Sequence, residues 1–328
     1  MNDLKNILDE SLDYYLEQER IIAGRISQLP KGTIKEKKIN GDIYYYLHYR
    51  KGKKIIDEYL GKDYPKDIIK KLEERKSLEK ELRNIKESIK LLNKNNQVID
   101  LAKPAFEIFK KLSEENLWEQ GIEIIGSWCF LLYQKHLDFP KYPLRTNDLD
   151  ILIPLPYKGK FFDFSSFLKS LGFTENFNPD GSTYYMLPNF KIEFLSLEKK
   201  PAKYAKFVKE LNISPQQLRF LEILFQEPVI LKISRGVKVK VPSPSSFFLH
   251  KLLISNRRRE KGKREKDIKQ AVYTGKYIIK NEKEKLISVF NNLNNSWKKK
   301  ILTNLKQAED IIPTEKETIN YLLYILSQ

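Results

Sequence analysis

Residues 144–153 read LRTNDLDILI and place two aspartates, Asp148 and Asp150, inside an otherwise apolar run. A β-strand turns alternate side chains to opposite faces, so both carboxylates lie on one face while Leu149 and Ile151 lie on the other. Neighbouring carboxylates repel each other, and burying either one without a counter-charge is costly. A divalent metal between them would solve both problems. Two acids at the solvated end of a strand would give the same pattern, so this stretch alone does not show whether a metal binds there.

The composition indicates a globular chain that does not enter a membrane. With 328 residues, of which 41% are hydrophobic and 31% charged, the chain is long enough for two or three domains. It begins MNDLKNILDE, a stretch with acids and no apolar segment, so we expect no secretory signal. The longest apolar run, near residues 124–133, is too short to cross a bilayer. We therefore expect a cytoplasmic protein.

Cysteine and histidine are too scarce for the common zinc centres. The single cysteine, Cys129, excludes an intramolecular disulfide and a cysteine-rich zinc site. The three histidines, His48, His136 and His250, are far apart in the sequence, which argues against a histidine-based metal site. We interpret His136 and His250 as residues of helix faces. We expect Trp128 and Cys129 to pack in the core.

The net charge of +17 is concentrated near the C-terminus. Residues 255–308 carry +11, whereas residues 1–100 carry +4. A local excess of this size suits a polyanion, either a nucleic acid or a nucleoside triphosphate. The basic residues that we assign to nucleic-acid binding are Arg257, Arg258, Arg259 and Lys263. Solvated charge on helix surfaces is the alternative interpretation.

The first hundred residues have the pattern of two helices around a small sheet. Apolar residues recur at helical spacing over 3–28 and again over 64–93, a segment rich in Glu and Lys. Between them, Asn40-Gly41 is a strong hairpin signal and Gly52 marks a second turn. The predicted strands cover 33–39, 42–49 and 53–59. The narrow apolar stripe of the second helix is typical of a coiled coil, with the first helix as its partner.

Tyr44, Tyr45 and Tyr46 follow one another in the second of these strands. Aromatic side chains on a strand can stack on nucleic-acid bases. Because alternate residues turn to opposite faces, we favour packing of one face on the long helix.

Helix and strand patterns alternate through the middle of the chain, after a linker near Asn95–Lys103. Helices are predicted at 104–117, 127–136 and 161–171, and strands at 121–125, 147–153, 182–188, 190–197, 228–233 and 236–241. From Ser243 the pattern is helical to the end. The sequence therefore predicts an α+β protein of three domains. They are an N-terminal helix, hairpin and long-helix module (1–97), a mixed-sheet core (98–242) and a basic helical domain (243–328).

The middle segment contains four candidate functional features, which follow one another along the chain. Gly126-Ser127 ends one strand and opens a helix, where a glycine permits close approach and the first amides can receive a phosphate. The acidic strand follows, and Glu193 then lies in KIEFL with apolar neighbours. Lys251 comes later, on a helix. Each feature alone has an ordinary explanation, namely a turn, an edge-strand acid or a solvated lysine.

Taken together, the order of hGS, helix, DhDh and h[DE]h resembles the DNA polymerase β-like nucleotidyltransferase superfamily. LRTNDLDIL, KIEFL and VPSPSSFFLHKLLISNRRREKGKREKDI resemble a bacterial and archaeal family related to the nucleotidyltransferase toxins of abortive-infection systems. The resemblance covers residues 100–280 and implies a mixed-sheet nucleotidyltransferase core. Two departures concern the metal geometry more than the fold. The gap between Ser127 and Asp148 is longer than is usual, and the third acid is Glu193 rather than Asp.

The resemblance implies a role for each residue in transfer of a nucleotide from an NTP. Two Mg²⁺ or Mn²⁺ ions would be held by Asp148, Asp150 and Glu193, and Glu193 would complete the site that activates the acceptor hydroxyl. The NTP would contact Gly126, Ser127, Arg145, Thr146 and Lys251. Arg145 could instead pair only with an acid. The acceptor could be an RNA 3′ end, a protein side chain or a small molecule. The basic C-terminal region and the N-terminal module favour RNA, such as a tRNA.

Two other functions are compatible with the sequence. One is a non-catalytic nucleic-acid-binding protein on a nucleotidyltransferase scaffold, because a fold does not guarantee activity. The other is an interaction protein whose N-terminal helices recruit an antitoxin or a second copy of the chain. The three carboxylates favour the enzyme.

Overall fold

The computed structural model divides the chain into two compact units. One unit is Asp9–Asn95, and the other combines Asn96–Gln328 with Met1–Leu8. The structure describes residues 2–52, 54–92, 95–140, 142, 146–198, 203–233 and 236–328. The boundary predicted at 242 falls inside the larger unit, and the division into three domains stays a prediction.

The N-terminal elements alternate as the sequence predicts. They are α1 (Asn2–Ser27), β1 (Thr33–Ile39), β2 (Asp42–Lys51), β3 (Lys54–Gly61) and α2 (Lys66–Leu92). The three strands form an antiparallel sheet in the order β1-β2-β3. Asn40 and Gly41 both have positive φ, 51° and 90°, which is the geometry of a type I′ hairpin turn. The turn fixes the register that places Ile39 opposite Asp42.

Helices α1 and α2 lie antiparallel. Arg25, near the end of α1, pairs with Glu74 in the first part of α2 at 2.6 Å. Nearer the middle of α1, Glu19 pairs with Lys86 at 3.6 Å. Apolar side chains on both helices are buried, among them Ile22, Ile26, Ile85 and Ile89. The first helix is thus a partner of the second, and coiled-coil packing between them stays a prediction.

The larger unit contains a mixed sheet flanked by helices. Its elements are α3 (Asn95–Glu114), β4 (Glu123–Ile125), α4 (Ser127–His136), β5 (Asp148–Leu152), α5 (Phe164–Ser170), β6 (Thr174–Phe177), β7 (Thr183–Leu187), β8 (Phe190–Leu197), β9 (Gln216–Leu218), β10 (Val229–Lys232) and β11 (Lys238–Val241). The order is β4-β5-β8-β7-β6, with β9 beside the end of β8. The β5–β8 pair is parallel and the β4–β5 pair antiparallel, which confirms the predicted α+β class with a mixed sheet.

Two details differ from the sequence prediction. Residues 95–103 are helical rather than a linker, because α3 begins at Asn95 and contains Pro104. Val98, Leu101, Ala105 and Ile108 continue one helical spacing through that proline, which the prediction of a linker did not take into account. Strands β6 and β9 were not predicted, because they are short and mostly polar. They form strands by pairing with β7 and β8, respectively.

The C-terminal part is helical, as predicted. It consists of α6 (Pro244–Ser255), α7 (Lys261–Asn281), α8 (Lys283–Asn291), α9 (Asn295–Ile311) and α10 (Lys316–Leu326). The Ser243 hydroxyl accepts a hydrogen bond from the Ser246 amide and caps α6, while Pro244 occupies its first turn. One hydrophobic core, with Phe248, Leu252 and Ile268 at its centre, joins these helices. Within the described ranges, no helix is long and apolar enough to cross a membrane.

Candidate active site

The three acids predicted from the sequence lie on neighbouring strands. In the parallel pairing of β5 with β8, Asp150 is directly opposite Glu193, so the two side chains share a face of the sheet. Asp148 precedes Asp150 by two residues and therefore lies on that same face. The alternate residues, Leu149 and Ile151, are completely buried on the other face. The alternation in the opening stretch thus separates a core face from a polar face.

Gly126 brings a third element against these acids. Its backbone has φ of 72°, a conformation that few residues other than glycine adopt. A Cβ at this position would lie 2.0 Å from Asp150 Oδ2. The Asp150 carboxylate therefore fills the space that a side chain would need here, and close approach of a ligand to this glycine stays a prediction. Ser127 follows as the first residue of α4, and its buried hydroxyl accepts a hydrogen bond from Gln270 Nε2 at 3.3 Å.

A cavity of about 490 Å³ gathers most of the predicted site residues. Its lining includes Gly126, Ser127, Thr146, Asp148, Asp150, Glu193, Lys251, Arg257, Arg258 and Lys263. Arg259 is exposed and does not line the cavity. Arg145 lies outside the described residues. Three predicted acids and four predicted cations therefore share one cavity, although Asp148 and Lys263 are 115 positions apart in the sequence.

Strands β5 and β8 form one wall of the cavity, which we call the sheet wall. Its carboxylates carry more negative charge than the nearby cations neutralise. Burial raises the pKa of Asp150 to about 7, and repulsion from Glu193 and Asp148 adds to this effect. Glu193 already has a counter-charge, because its carboxylate pairs with Lys191 at 2.6 Å. In the described part of the chain, no three acid, histidine or cysteine side chains are grouped closely enough for a ready-made metal site. The acids share a face and a cavity without forming a closed cage.

Helices α6 and α7 form the other wall, which we call the helix wall, and here positive charge exceeds negative charge. Lys251 on α6 is buried and pairs with Asp267 on α7 at 2.7 Å, and Arg258 Nε binds the second oxygen of Asp267 at 2.7 Å. Burial alone would raise the pKa of Asp267, but Lys251 and Arg258 hold it below its usual value. Two cations thus share one carboxylate. This arrangement leaves a positive charge at the cavity wall.

Sequence reasoning did not identify Lys266 and Asp267. Lys266 lines the cavity, and burial together with repulsion from Lys251 lowers its pKa to about 8. Both residues lie in the run KREKDIKQ, which has the composition of a solvated helix surface. A signal was present, because buried Ile268, Ala271 and Val272 define the inner face of α7 and Asp267 adjoins it.

Several predicted residues have contacts that qualify their roles. The Thr146 hydroxyl donates to the Asp148 backbone carbonyl at 3.1 Å and so holds the start of β5. The Arg257 guanidinium lies 5.2 Å from the centre of the Phe220 ring. Lys263 pairs with Glu260 at 2.9 Å, and both side chains are exposed.

Trp128 and Cys129 are core residues, as predicted. Trp128 is buried, and its ring packs edge-on against Phe109 and Phe190. The Cys129 thiol donates to the Ile124 carbonyl, and burial raises its pKa well above the usual value. A neutral buried thiol of this kind is a packing group rather than a nucleophile. His250 is also buried, and burial lowers its pKa to about 3.

Models of two protein families match parts of this chain. A family model described as nucleotidyltransferase matches residues 103–293, more than half of the chain. A domain of unknown function (DUF6788) matches residues 3–71. No curated protein matches. A solved structure of an antigenic nucleotidyltransferase-like protein from Paracoccidioides brasiliensis has 16% sequence identity and a TM-score of 0.38, over 65% of this chain and 91% of that one. The extent of the first match shows that this chain belongs to the nucleotidyltransferase family.

Proposed function

We propose that the chain is a metal-dependent enzyme that transfers a nucleoside monophosphate from an NTP to an acceptor hydroxyl. The observation that carries the proposal is the cavity in which three carboxylates on β5 and β8 share the space with the start of α4 and the cations of α6 and α7. A triphosphate needs cations along its length, and the reacting phosphorus needs oxygen-ligated metal ions nearby. The two walls offer both kinds of group.

The carboxylates suit Mg²⁺ or Mn²⁺. Their donors are oxygens, which these ions prefer, and burial with like charges raises the pKa of Asp150. Magnesium sites commonly use one or two carboxylates and take their other ligands from substrate phosphates and water, so an open set of acids is compatible with them. We assign Asp148, Asp150 and Glu193 to two ions. When bound, such a pair supplies positive charge to the attacking and leaving oxygens.

The residues of the chain position the NTP and move one proton. The first backbone amides of α4, at Ser127 after Gly126, hold the β- and γ-phosphates, and Lys251 and Lys266 neutralise them. The acceptor oxygen then forms a bond to the α-phosphorus, while the bond from that phosphorus to the leaving pyrophosphate breaks. Glu193 takes the proton of the acceptor hydroxyl. The Thr146 hydroxyl keeps Asp148 in place through its hydrogen bond to the Asp148 backbone carbonyl.

The acceptor that we propose is an RNA end, for example the 3′ end of a tRNA. The support is the net charge of +11 over residues 255–308, together with Arg257, Arg258 and Lys263 at the cavity and Arg259 beside it. An NTP needs only a few of these cations. A toxin-like role, with an antitoxin or a second copy of the chain bound through the N-terminal helices, belongs to the same proposal.

A second candidate is a non-catalytic nucleic-acid-binding protein on this scaffold. The pairing of Glu193 with Lys191 favours it, because an ion-paired Glu193 is less available to take a proton or bind a metal.

Labelled transfer separates the two candidates. The protein is incubated with each NTP labelled at the α-phosphate, with Mg²⁺ and total RNA, and incorporation is compared between wild type and Asp148→Asn. We expect the wild type to label RNA and the variant to lose on the order of a thousandfold in rate. The thermal midpoint should stay equal or rise, because one of two repelling charges is removed. Glu260→Gln, an exposed change, is the matched control. Equal labelling by wild type and Asp148→Asn would exclude this mechanism.

A further inference from the structure

The two faces of the N-terminal sheet differ. Alternation along β2 puts Leu47 on one face, where it is buried, and Tyr45 on the same face, where it is half-buried. Tyr44 and Tyr46 lie on the opposite face. The pairing register places Tyr59 of β3 opposite Tyr46, so it shares that second face. The three consecutive tyrosines are therefore divided between the faces. We call the face with Tyr44, Tyr46 and Tyr59 the tyrosine face.

The tyrosine rings form a cluster in which Tyr44 and Tyr46 are half-buried and Tyr59 is exposed. The ring centroids of Tyr46 and Tyr59 are 5.4 Å apart, and those of Tyr44 and Tyr59 are 6.2 Å apart. Tyr59 is 54% exposed, and Ile55, further along β3 on the same face, is 63% exposed. Exposed aromatic clusters on a sheet are unusual unless they bind a partner.

Cations surround the rings. Lys37 Nζ lies 4.4 Å from the centre of the Tyr46 ring, and Lys62 Nζ lies 5.1 Å from that of Tyr44. The acids nearby are already paired, since Asp42 binds Lys62 and Asp57 binds Lys37. Hydrogen bonds from His48 and Lys37 hold the pKa of Asp57 well below its usual range.

Further cations extend this frame, and the remaining acids of the sheet point away. Lys35 is within 3.7 Å of Asp57, and Arg50 is exposed on the tyrosine face opposite Ile55. Glu36 and Glu58 belong to the other face, because they pair in register with Tyr45 and Leu47. The rings thus lie among four cations, Lys35, Lys37, Arg50 and Lys62, and two carboxylates, Asp42 and Asp57, so the tyrosine face is net positive.

We propose that the tyrosine face binds single-stranded RNA, with unpaired bases stacked on Tyr44, Tyr46 and Tyr59 and the backbone tracked by the surrounding cations. Stacking needs bases outside a duplex, which RNA loops and ends provide. Tyr46 and Tyr59 lie on adjacent strands, an arrangement also found in sheets that bind RNA by stacking two or three bases on aromatic side chains. The positive frame favours a polyanion over a protein partner. All of these residues lie in Asp9–Asn95, so the proposal does not depend on catalysis.

The test compares full-length proteins of equal net charge. Affinity for a short unstructured RNA is measured by fluorescence anisotropy, without NTP, for wild type and for the triple variant Tyr44→Ala, Tyr46→Ala, Tyr59→Ala. Because net charge is unchanged, the difference reports stacking and not the basic C-terminal region. We expect the triple variant to bind RNA about tenfold more weakly or worse. Tyr44→Phe, Tyr46→Phe, Tyr59→Phe should retain most of the affinity, because the rings remain.

The matched control is Tyr321→Ala with Tyr324→Ala. These are exposed tyrosines of α10 whose rings also stack, with centroids 6.3 Å apart, and their loss should leave RNA affinity unchanged. Tyr59→Ala alone removes a ring that is mostly exposed and provides the test if the triple variant does not fold. Equal RNA affinity for wild type and for the folded tyrosine-face variants would overturn the proposal. It would also be overturned if duplex DNA of the same length bound the wild type as tightly as RNA and lost as much in the triple variant.

Discussion

The two walls of the cavity treat a buried carboxylate in opposite ways. On the sheet wall, burial and two neighbouring acids raise the pKa of Asp150 to about 7. On the helix wall, Lys251 and Arg258 hold the pKa of Asp267 below its usual value in spite of burial. The helix wall therefore supplies its own counter-charges, whereas the sheet wall is short of positive charge. On our proposal, the helix wall is formed before a ligand binds, and the cation that the sheet wall lacks arrives with the nucleotide.

Among the substitutions that test this difference, we expect the largest loss of stability from one on the helix wall. Asp267→Asn leaves Lys251, which is buried, without its counter-charge. Breaking a buried ion pair by removing one partner typically lowers the free energy of unfolding by about 3–5 kcal/mol. We expect a loss of that size in chemical denaturation. Glu260→Gln, which removes the exposed partner of Lys263, is the control and should cost less than about 1 kcal/mol. If the two variants were equally stable, the Lys251–Asp267 pair would not hold this wall together.

The sheet wall should show its shortage of positive charge as a pH dependence of stability. The pKa of Asp150 is about 7 in the folded chain, above its ordinary value of 3.8, so the folded state keeps a proton that the unfolded state loses. The resulting stabilisation is complete below pH 4 and is lost as the pH rises to 7. It amounts to a few kcal/mol at most, at about 1.4 kcal/mol for each unit of pKa.

The measurement is the free energy of unfolding of wild type and Asp150→Asn from pH 4 to pH 7, in the absence of divalent metal. The wild type should lose stability relative to the variant across this range. Other acids with raised pKa values, such as Glu123, are present in both proteins and cancel in the difference. Parallel stability curves would show that Asp150 is not short of counter-charge.

A smaller effect is expected outside the cavity, where the basic region would contact an RNA backbone. Arg258 is unsuited to this test because it binds Asp267. Arg259, Lys280 and Lys299 are exposed and do not line the cavity. Reversing all three to Glu should flatten the dependence of RNA affinity on salt by up to about two units of slope, at about 0.7 per lost phosphate contact.

NTP affinity is measured beside RNA affinity and should change little. The control reverses Lys158, Lys206 and Lys209, which are equally exposed but lie outside residues 255–308. An unchanged slope in the first variant would mean that the basic region serves solubility rather than RNA binding.

Much of this architecture could be predicted from the sequence because its signals are local. The alternation around Asp148 and Asp150 predicts a strand with one polar face, and Asn40-Gly41 predicts the hairpin. Strand β9 lacks such a signal, since its three residues become a strand only by pairing with β8. The start of α3 was predicted too late in the chain, because its first turns, in Asn95–Lys103, are mostly polar and a proline follows them.

The site was predictable where its residues lie in apolar surroundings and less so where they lie among charges. Glu193 between Ile192 and Phe194 stands out from its neighbours, and so does Asp150. Asp267 lies within a run of charged residues, and its partner Lys251 is 16 residues away on another helix. Only the crossing of α6 and α7 brings the two together, and no local pattern records that crossing. The same holds for Gln270 of α7, which donates a hydrogen bond to Ser127 of α4.

The most direct test of the two-wall account is the binding of a nonhydrolysable NTP analogue, measured by calorimetry. Each of the four analogues is titrated into wild type and Asp148→Asn, with Mg²⁺ and again with the metal removed by chelation. We expect at least one analogue to bind the wild type, and removal of Mg²⁺ or of the Asp148 charge to weaken this binding by at least about tenfold, or about 1.4 kcal/mol. An analogue that bound both proteins equally well, with and without Mg²⁺, would contradict it.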